Sequence, residues 1–396
     1  MIEYNRFELD NGLRVIHHFD GNTPFAVINI LYNVGARDED PDKTGFAHLF
    51  EHLMFGGSEN IPEYDSPLQM AGGENNAFTS NDITNYYITL PADNIETGFW
   101  LESDRMLGLS FSQKSLDVQK GVVIEEFKQR YLNQPYGDVW LNLRSLAYKH
   151  HPYRWPTIGK EISHIENASL EDVKSFFYKF YNPNNAILAV TGNISFEKVK
   201  ELSVKWFSDI PKGLRNENIY TEEPKQTEKR ILNLEAGVPQ DAIYMAFLTA
   251  KRNVKEYYAA DLLSDILTRS ESSRFYNSLV RDKKLFSQID AYISGDMDAG
   301  LFVIQGRLNK DVTFERAEAA IMEEIESIST VNAHELDKVK NKSLTANLFS
   351  RTSSLNKAMN LCYAENLGDI DLINTEIQKY YEINPEDIKS VALELF

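Results

Sequence analysis

Two histidines and a glutamate stand at the spacing of a metal-binding helix. His48, Glu51 and His52 form an H-x-x-E-H pattern, which should arise by chance in roughly one in a hundred chains of this composition. Helical residues at i and i+4 lie one turn apart on the same face, so both imidazoles can reach a single zinc ion. Glu51 shares their face, and its carboxylate is free to act on a metal-bound water.

The residues around this pattern predict an amphipathic helix. An apolar stripe at i, i+3, i+4, i+7 and i+8 comprises Phe46, Leu49, Phe50, Leu53 and Met54, and a pair of glycines follows it. The histidines project away from this stripe, which excludes the usual reading of a core histidine. A solvated polar face is the remaining alternative, but the order H-x-x-E-H is the signature of the inverted zincins and favours a metal site.

A catalytic zinc site needs three protein ligands and one open position, so a third ligand must come from another element. Asp117 is one candidate, and the adjacent carboxylates Glu125 and Glu126 are better ones because they flank an apolar run. Helical periodicity does not choose between Glu125 and Glu126. The pairs His17–His18 and His150–His151 are rival sources, although paired histidines are most often polar surface.

The composition of the chain argues against some functions and some kinds of site. The chain has 396 residues, 42% of them hydrophobic, and a formal net charge of −18, which argues against nucleic-acid binding because phosphate contacts need clustered Lys and Arg. Cys362 is the single cysteine, so neither an internal disulfide nor a Cys-based zinc knuckle can form.

Hydrophobic patterning predicts an α+β fold of two related halves, each a mostly antiparallel sheet packed with helices on one side. A buried strand at 25–32 precedes the metal-binding helix, and a strand at 242–248 followed by a helix at 257–268 repeats that order. We therefore predict a zinc-binding half at 1–212, a polar linker at 213–230, and a homologous half without the metal motif at 231–396.

The same reading predicts further elements in the first half. Residues 7–9 and 13–16 flank an Asp-Asn-Gly turn and predict a hairpin, and residues 186–190 predict another buried strand. The predicted helices cover 115–132, 139–148, 169–181 and 197–207.

The first residues and the hydropathy of the chain give an expectation for its cellular location. The first residues lack the basic and apolar regions of a signal peptide, and no stretch approaches the ~18 apolar residues that span a bilayer. These features predict a cytoplasmic protein without membrane insertion, although a removed leader would leave the same sequence.

Beyond these patterns, the sequence resembles the pitrilysin, insulin-degrading enzyme and mitochondrial processing peptidase family of zinc metallopeptidases, and in particular its small bacterial members. The resemblance runs along nearly the whole chain. It is carried by the blocks at 7–15, 35–39, 45–57, 73–79, 84–87, 151–153 and 181–186.

The resemblance implies a role for each matching residue. It makes His48 and His52 zinc ligands, Glu126 the third ligand, and Glu51 the general base. It also implies that Asn76, Ala77 and Phe78 form a sheet edge that holds substrate by backbone pairing, a mode that suits extended, unfolded peptides.

Two positions depart from the family pattern. Gln119 stands where the family usually has a glutamate, seven residues before the third ligand, so charge is lost beside the site. Arg281 matches the arginine of a substrate-gripping Arg/Tyr pair, but the tyrosine position holds Gln288. Some small members of the family divide these tasks between a zinc-bearing subunit and a partner. By this resemblance we predict a heterodimer with a homologous subunit that carries the Arg/Tyr pair, or else a homodimer.

The predicted function is a zinc endopeptidase that hydrolyses short or unfolded peptides inside a chamber formed by two two-domain subunits. One alternative is a weakly active or inactive structural or binding subunit of the same family, which Gln119 favours. Another is a zinc hydrolase of non-peptide substrates, which the predicted peptide-pairing edge around Asn76 disfavours.

Overall fold

The computed structural model describes residues 1–214 and 220–396. Contacts divide the chain into two compact units, and each unit is assembled from three stretches of chain. Unit 1 comprises Met1–Asn133, His151–Thr221 and Phe349–Asn374, and unit 2 comprises Gln134–His150, Glu222–Leu348 and Thr375–Phe396.

These units differ from the predicted contiguous halves. Residues 134–150 come from the predicted first half but pack in unit 2, whereas residues 349–374 come from the predicted second half but pack in unit 1. Local patterns along a sequence do not reveal such exchanges, because they depend on long-range packing. The predicted duplication of the two halves stays a prediction.

The described residues contain the following strands and helices in chain order. The strands are β1 Asn5–Glu8, β2 Arg14–Phe19, β3 Phe25–Tyr32, β4 Glu74–Thr79, β5 Thr84–Pro91, β6 Ala186–Gly192, β7 Ala242–Leu248, β8 Phe286–Ile293 and β9 Leu301–Leu308. The α-helices are α1 Phe46–Leu53, α2 Asp65–Met70, α3 Ile95–Leu107, α4 Gln113–Phe127, α5 Val139–Ala147, α6 Ile162–Glu166, α7 Leu170–Phe180, α8 Phe196–Phe207, α9 Lys255–Thr268, α10 Phe314–Glu326, α11 Ala333–Ser350, α12 Ser354–Asn366, α13 Leu372–Glu382 and α14 Pro385–Leu395.

Unit 1 is built on a six-stranded sheet in the order β1-β2-β6-β3-β5-β4. All neighbouring strands are antiparallel except β2 and β6, which run parallel. The strand β4 is therefore at an edge, paired with β5 on one side. The edge position matters below, because β4 carries the residues of the predicted substrate-binding block.

Helices cover both faces of this sheet. Ile28 of β3 meets α3, where a Cβ added to Gly98 would stand 2.7 Å from the Ile28 side chain. Val27, one residue earlier, faces the other way and shares a buried cluster with Leu361 and Cys362 of α12. Successive strand residues point to opposite faces, so both faces of β3 are apolar because both are packed.

Unit 2 has a three-stranded antiparallel sheet in the order β7-β9-β8. Its core gathers apolar side chains from α9, α10 and α14 over the sheet, including Leu263, Phe302, Ile321 and Ile388, which are all fully buried. The predicted α+β class with mostly antiparallel sheets is confirmed, and in unit 1 the helix α12 adds a layer on the second face.

The element predictions agree closely with the structure. The strands at 25–32 and 242–248 have the predicted bounds, and the hairpin pairs β1 with β2. The helix predicted at 115–132 is α-helical over α4 and then continues as a π-helix over Lys128–Leu132. A π-helical turn leaves this part of the helix with a wider backbone, a feature often found beside functional sites.

The segment predicted as a solvated linker, 213–230, is anchored where it is described. Residues 215–219 of this prediction lie outside the described residues. The Tyr220 hydroxyl donates a hydrogen bond to Asp38 in unit 1, and the Arg230 guanidinium donates to two backbone carbonyls of α5 in unit 2. The polar composition correctly indicated that most of these side chains are exposed to solvent, but it did not indicate these hydrogen bonds.

Across the described residues, no helix combines the length and apolar character required to cross a bilayer.

Candidate metal centre

The buried carboxylate of Glu39 caps the N-terminus of the helix α1. Gly45 precedes it with φ +89°, a conformation that favours glycine, and a Cβ there would stand 2.7 Å from the Ile158 carbonyl oxygen. The two oxygens of Glu39 accept hydrogen bonds from the backbone N–H groups of Gly45 (2.8 Å) and Ala47 (2.9 Å). Glu39 therefore satisfies donors that the first turn of a helix leaves without partners.

The apolar stripe of α1 locks the helix in place. Leu49 and Phe50 are fully buried, and Phe50 stacks on Phe176 and Tyr181 with ring centroids 5.0 and 5.1 Å away. The Tyr86 hydroxyl of β5 donates to the Phe50 carbonyl oxygen at 3.3 Å. With the stripe held on this side, the face that carries the histidines packs towards α4 and β4.

Three ligand atoms converge between α1 and α4. The Nε2 atoms of His48 and His52 are 3.3 Å apart, and Oε2 of Glu126 lies 3.6 Å from the first and 3.4 Å from the second. Ligand atoms about 2.0–2.1 Å from a tetrahedral zinc ion lie about 3.3–3.4 Å from one another. The separations in this cluster are those of three corners of such a tetrahedron, so the donor set fits zinc in type and in spacing.

The electrostatics of the cluster favour the protonation states that metal binding requires. Burial lowers the pKa of His48 to about 4, aided by the neighbouring His52, so its imidazole is neutral at pH 7. The hydrogen bond with His52 is the main reason that the pKa of Glu126 is lowered, which keeps this carboxylate ionised. Neutral imidazole and ionised carboxylate are the forms that bind a metal ion.

Arg130 holds the second oxygen of the Glu126 carboxylate. Its guanidinium lies 2.8 Å from Oε1, whereas Oε2 is turned towards the two imidazoles. Arg130 was missed by sequence reasoning, although its position four residues after Glu126 was a usable signal for a helical ion pair. The arrangement divides the carboxylate into a ligand oxygen and an anchored oxygen.

The rival third ligands are engaged elsewhere. Glu125 points away from the cluster and pairs with Lys128 at 2.8 Å, and Asp117 accepts a hydrogen bond from Gln113. The histidines of the other two pairs are also outside the cluster. Over residues 1–214 and 220–396, the three residues 48, 52 and 126 form the only group of three or more potential ligands close enough to share one ion.

Glu51 is held by a residue of the sheet edge. The Thr79 hydroxyl of β4 donates to Oε2 of Glu51 at 2.7 Å. Burial raises the pKa of Glu51, and the hydrogen bond from Thr79 acts against this rise. Thr79 belongs to a sequence block singled out above, but nothing in its spacing indicated a contact with the helix 28 residues earlier.

The predicted substrate block lies on β4 as an edge strand. Asn76, Ala77 and Phe78 pair with Tyr87, Tyr86 and Asn85 of β5 on their inner side. The side chain of Phe78 is exposed, and the Asn76 side-chain oxygen accepts from the backbone N–H of Ala77 at 2.8 Å. The helix α1 packs against this same strand.

The two departures from the family pattern fall in different units. Gln119 lies half-buried on α4, two turns before Glu126. Arg281 lies in unit 2, where it is exposed and pairs with its neighbour Asp282 at 2.9 Å, and Gln288 donates to Asp290. The first departure therefore lies in the same unit as the metal cluster, whereas Arg281 lies outside that unit.

Two family profiles match successive parts of the chain. Residues 14–161 match the profile described as insulinase, peptidase family M16, and residues 167–343 match the one described as the peptidase M16 inactive domain. The first profile contains the whole metal cluster. The second covers most of the predicted half that lacks the metal motif.

Individual relatives cover the chain more completely. The zinc protease PqqE of Helicobacter pylori is 31% identical over 98% of this chain and 89% of its own length. A solved structure of a protease from Helicobacter pylori superposes with a TM-score of 0.93 at 29% identity, covering 100% of this chain and 97% of that one. The mitochondrial-processing peptidase subunit beta of Saccharomyces cerevisiae is 27% identical over 52% of this chain and 45% of its own length.

Proposed function

Because this chain belongs to peptidase family M16, the insulinase family, we propose that it is a zinc-dependent endopeptidase that hydrolyses short or unfolded peptides. The observation that carries the proposal is the convergence of two imidazole nitrogens and one carboxylate oxygen at the separations of a tetrahedral zinc site. The name zinc protease, given to a relative that spans nearly the whole chain, supports the same activity.

In this proposal His48, His52 and Glu126 hold the zinc ion and leave a fourth position open. Zinc, when bound, supplies a Lewis acid for the scissile carbonyl and lowers the pKa of water towards about 7. Glu51 lies one residue before a ligand on the same helix, and its carboxylate takes the proton of the attacking water. It then passes this proton to the nitrogen of the leaving amine.

The substrate lies along the free edge of β4. An extended peptide can add to this edge as a further strand, with its backbone paired to Asn76, Ala77 and Phe78. Backbone pairing requires that the peptide be unfolded over several residues. This requirement, and a chamber enclosed by two two-domain subunits, would restrict the enzyme to short or unfolded substrates.

A homologous second subunit completes the proposal. It would supply the Arg/Tyr pair that Arg281 and Gln288 do not form here, in a heterodimer or, failing that, a homodimer. The yeast relative is by its name one subunit of an assembly, which supports division of labour in the family. If the purified chain cleaved peptides at full rate as a monomer, measured by light scattering and activity on the same sample, the partner would be unnecessary.

Metal analysis joined to a peptide assay tests the central proposal. We expect one zinc ion per chain, and cleavage of a quenched fluorescent peptide that a chelator abolishes and added zinc restores. His52→Ala should weaken zinc binding at least 100-fold, whereas His150→Ala, which changes an exposed histidine of unit 2, should leave it intact. Equal zinc binding by wild type and His52→Ala would contradict the proposal.

The second candidate is an inactive or weakly active subunit of the same family. Gln119 favours it, because an amide beside the site cannot supply the charge or the proton of a carboxylate. A chain that binds zinc but leaves peptides intact, both alone and with its homologous partner, would establish this candidate. A cytoplasmic location stays a prediction.

A further inference from the structure

The strand β4 ends on a hydroxyl that touches the general base. Thr79 is the last residue of β4, and its hydroxyl donates to Oε2 of Glu51 at 2.7 Å. Among the described residues, this is the one hydrogen bond that the structure gives to the Glu51 carboxylate. The other oxygen, Oε1, is left to meet a water or a substrate.

A glutamate needs such a contact more than most side chains do. It has three rotatable bonds, and a general base must stand within about 2.6–3.2 Å of the proton that it takes. Threonine is well suited to hold it, because a β-branched side chain on a strand has few χ1 rotamers. The half-buried Glu51 is thereby tied to a stiff donor rather than left to sample several rotamers.

The donor also lies on the strand that is proposed to bind substrate. Asn76, Ala77 and Phe78 immediately precede Thr79, and all four residues are fixed in register against β5. A peptide paired with the outer edge of β4 would share this register. The strand β4 would then position both the scissile bond of the peptide and the carboxylate of Glu51.

We propose that Thr79 is a positioning residue that holds the general base Glu51 and aligns it with a peptide bound along β4. The inference rests on the proposed function, because it assigns a purpose to the contact only if Glu51 takes part in hydrolysis. A purely structural role for Thr79 is the competing explanation. The two explanations differ in what the loss of the hydroxyl changes: turnover in the first, and fold stability in the second.

Substitutions at position 79 separate these explanations. Thr79→Val keeps the shape and removes the donor, Thr79→Ser keeps the donor, and Thr89→Val makes the same change on the neighbouring strand β5. With the zinc-loaded chain, and its partner if one is needed, we expect Thr79→Val to lower kcat about 10- to 100-fold on a quenched peptide. KM should stay within about twofold, and Thr79→Ser and Thr89→Val should retain most of the wild-type kcat.

Measurements other than activity exclude a general loss of structure. Zinc affinity, from competition with a chromophoric chelator, should be the same in Thr79→Val and wild type, because Thr79 contacts the base and none of the ligands. The melting temperature of Thr79→Val should match that of Thr89→Val. In a Glu51→Gln background, Thr79→Val should lower the residual kcat little further, since residues that act as a unit are not additive.

The outcomes also distinguish this inference from the proposed function. An active wild type with a Thr79→Val variant of equal kcat would overturn the positioning role and leave the endopeptidase standing. Equal impairment of Thr79→Ser and Thr79→Val, or a rise in KM alone, would overturn it as well. A zinc-loaded wild type without any peptidase activity would overturn both.

Discussion

The helices α1 and α9 follow a sheet strand in their respective units, yet they use their polar faces differently. In unit 1, α1 presents His48, Glu51 and His52 beside a packed apolar stripe. In unit 2, α9 contains no histidine, and its carboxylates Asp261 and Asp265 stand at i and i+4. The same spacing that brings two imidazoles together in α1 brings two acids together in α9.

The acids of α9 contact neighbouring side chains of unit 2. Asp261 accepts a hydrogen bond from the Tyr380 hydroxyl at 2.7 Å, and Asp265 lies 3.7 Å from Arg269. Burial raises the pKa of both carboxyl groups, to about 6 for Asp265. A strand followed by an amphipathic helix therefore does not by itself indicate a function. The side chains on the helix and on the element that faces it determine whether the pair can form a site.

The largest expected effect comes from Glu51, the proposed general base on α1. Glu51→Gln should lower kcat by about 10²–10⁴-fold and leave zinc stoichiometry unchanged, because the amide cannot take a proton. Elemental analysis and the peptide assay on one preparation measure both quantities. Asp265→Asn, the matched change on α9, should leave both unchanged. Unaltered turnover in Glu51→Gln would overturn the role of Glu51 as general base.

The next effect concerns how α1 is held. Glu39→Gln replaces one of two acceptors with a donor that faces a backbone N–H, and should cost about 1–3 kcal/mol of unfolding free energy. Urea denaturation measures this change in unfolding free energy. The control is Glu63→Gln, the same substitution at an exposed position. A difference below about 0.5 kcal/mol between these two variants would show that α1 does not depend on Glu39.

The third effect concerns the carboxyl group of Asp265 on α9. The pKa of Asp265 is raised to about 6 in the folded protein, so the native state binds its proton more tightly than the unfolded state does. Stability should therefore fall as pH rises from about 4 to 6, by on the order of 1–3 kcal/mol from this group. Asp265→Asn should flatten the curve of unfolding free energy against pH in this window. Parallel curves for variant and wild type would contradict the assignment.

The smallest effect concerns the element that faces α1. Arg130→Met frees Oε1 of Glu126 and should weaken zinc binding about tenfold, because the ligand oxygen is then less well oriented. Arg130 is 69% exposed, so the ion pair itself contributes little. Chelator competition measures the affinity, with Lys128→Met, which breaks the pair with Glu125, as the control. A rise in affinity would show that the charge of Arg130 outweighs its positioning.

Much of the candidate site could be predicted from local sequence. The spacing of His48 and His52 and the apolar stripe of α1 are properties of one helix, and helical geometry alone places both imidazoles on one face. The strand at 25–32 has its predicted bounds because a short run rich in β-branched and aromatic residues favours a strand over a helix.

Other parts could not be predicted from local patterns. The choice between Glu125 and Glu126 needs the rotation of α4 against α1, since both residues are adjacent acids on one helix. The contact of Thr79 with Glu51 depends on where β4 lies, and the packing of α12 on the sheet of unit 1 joins residues more than 150 positions apart. Such contacts leave no periodic signal in the sequence.

The sequence by itself determined the scarce chemistry of this protein: two histidines and a glutamate on one helical face, in a chain with a single cysteine and an acidic balance. The tertiary structure decided which carboxylate lies with them, which hydroxyl donates to Glu51, and which edge strand α1 packs against. The reason is physical. Short-range geometry follows from backbone dihedrals, which are local, whereas convergence to within about 3.5 Å requires elements that are distant in the chain to pack together.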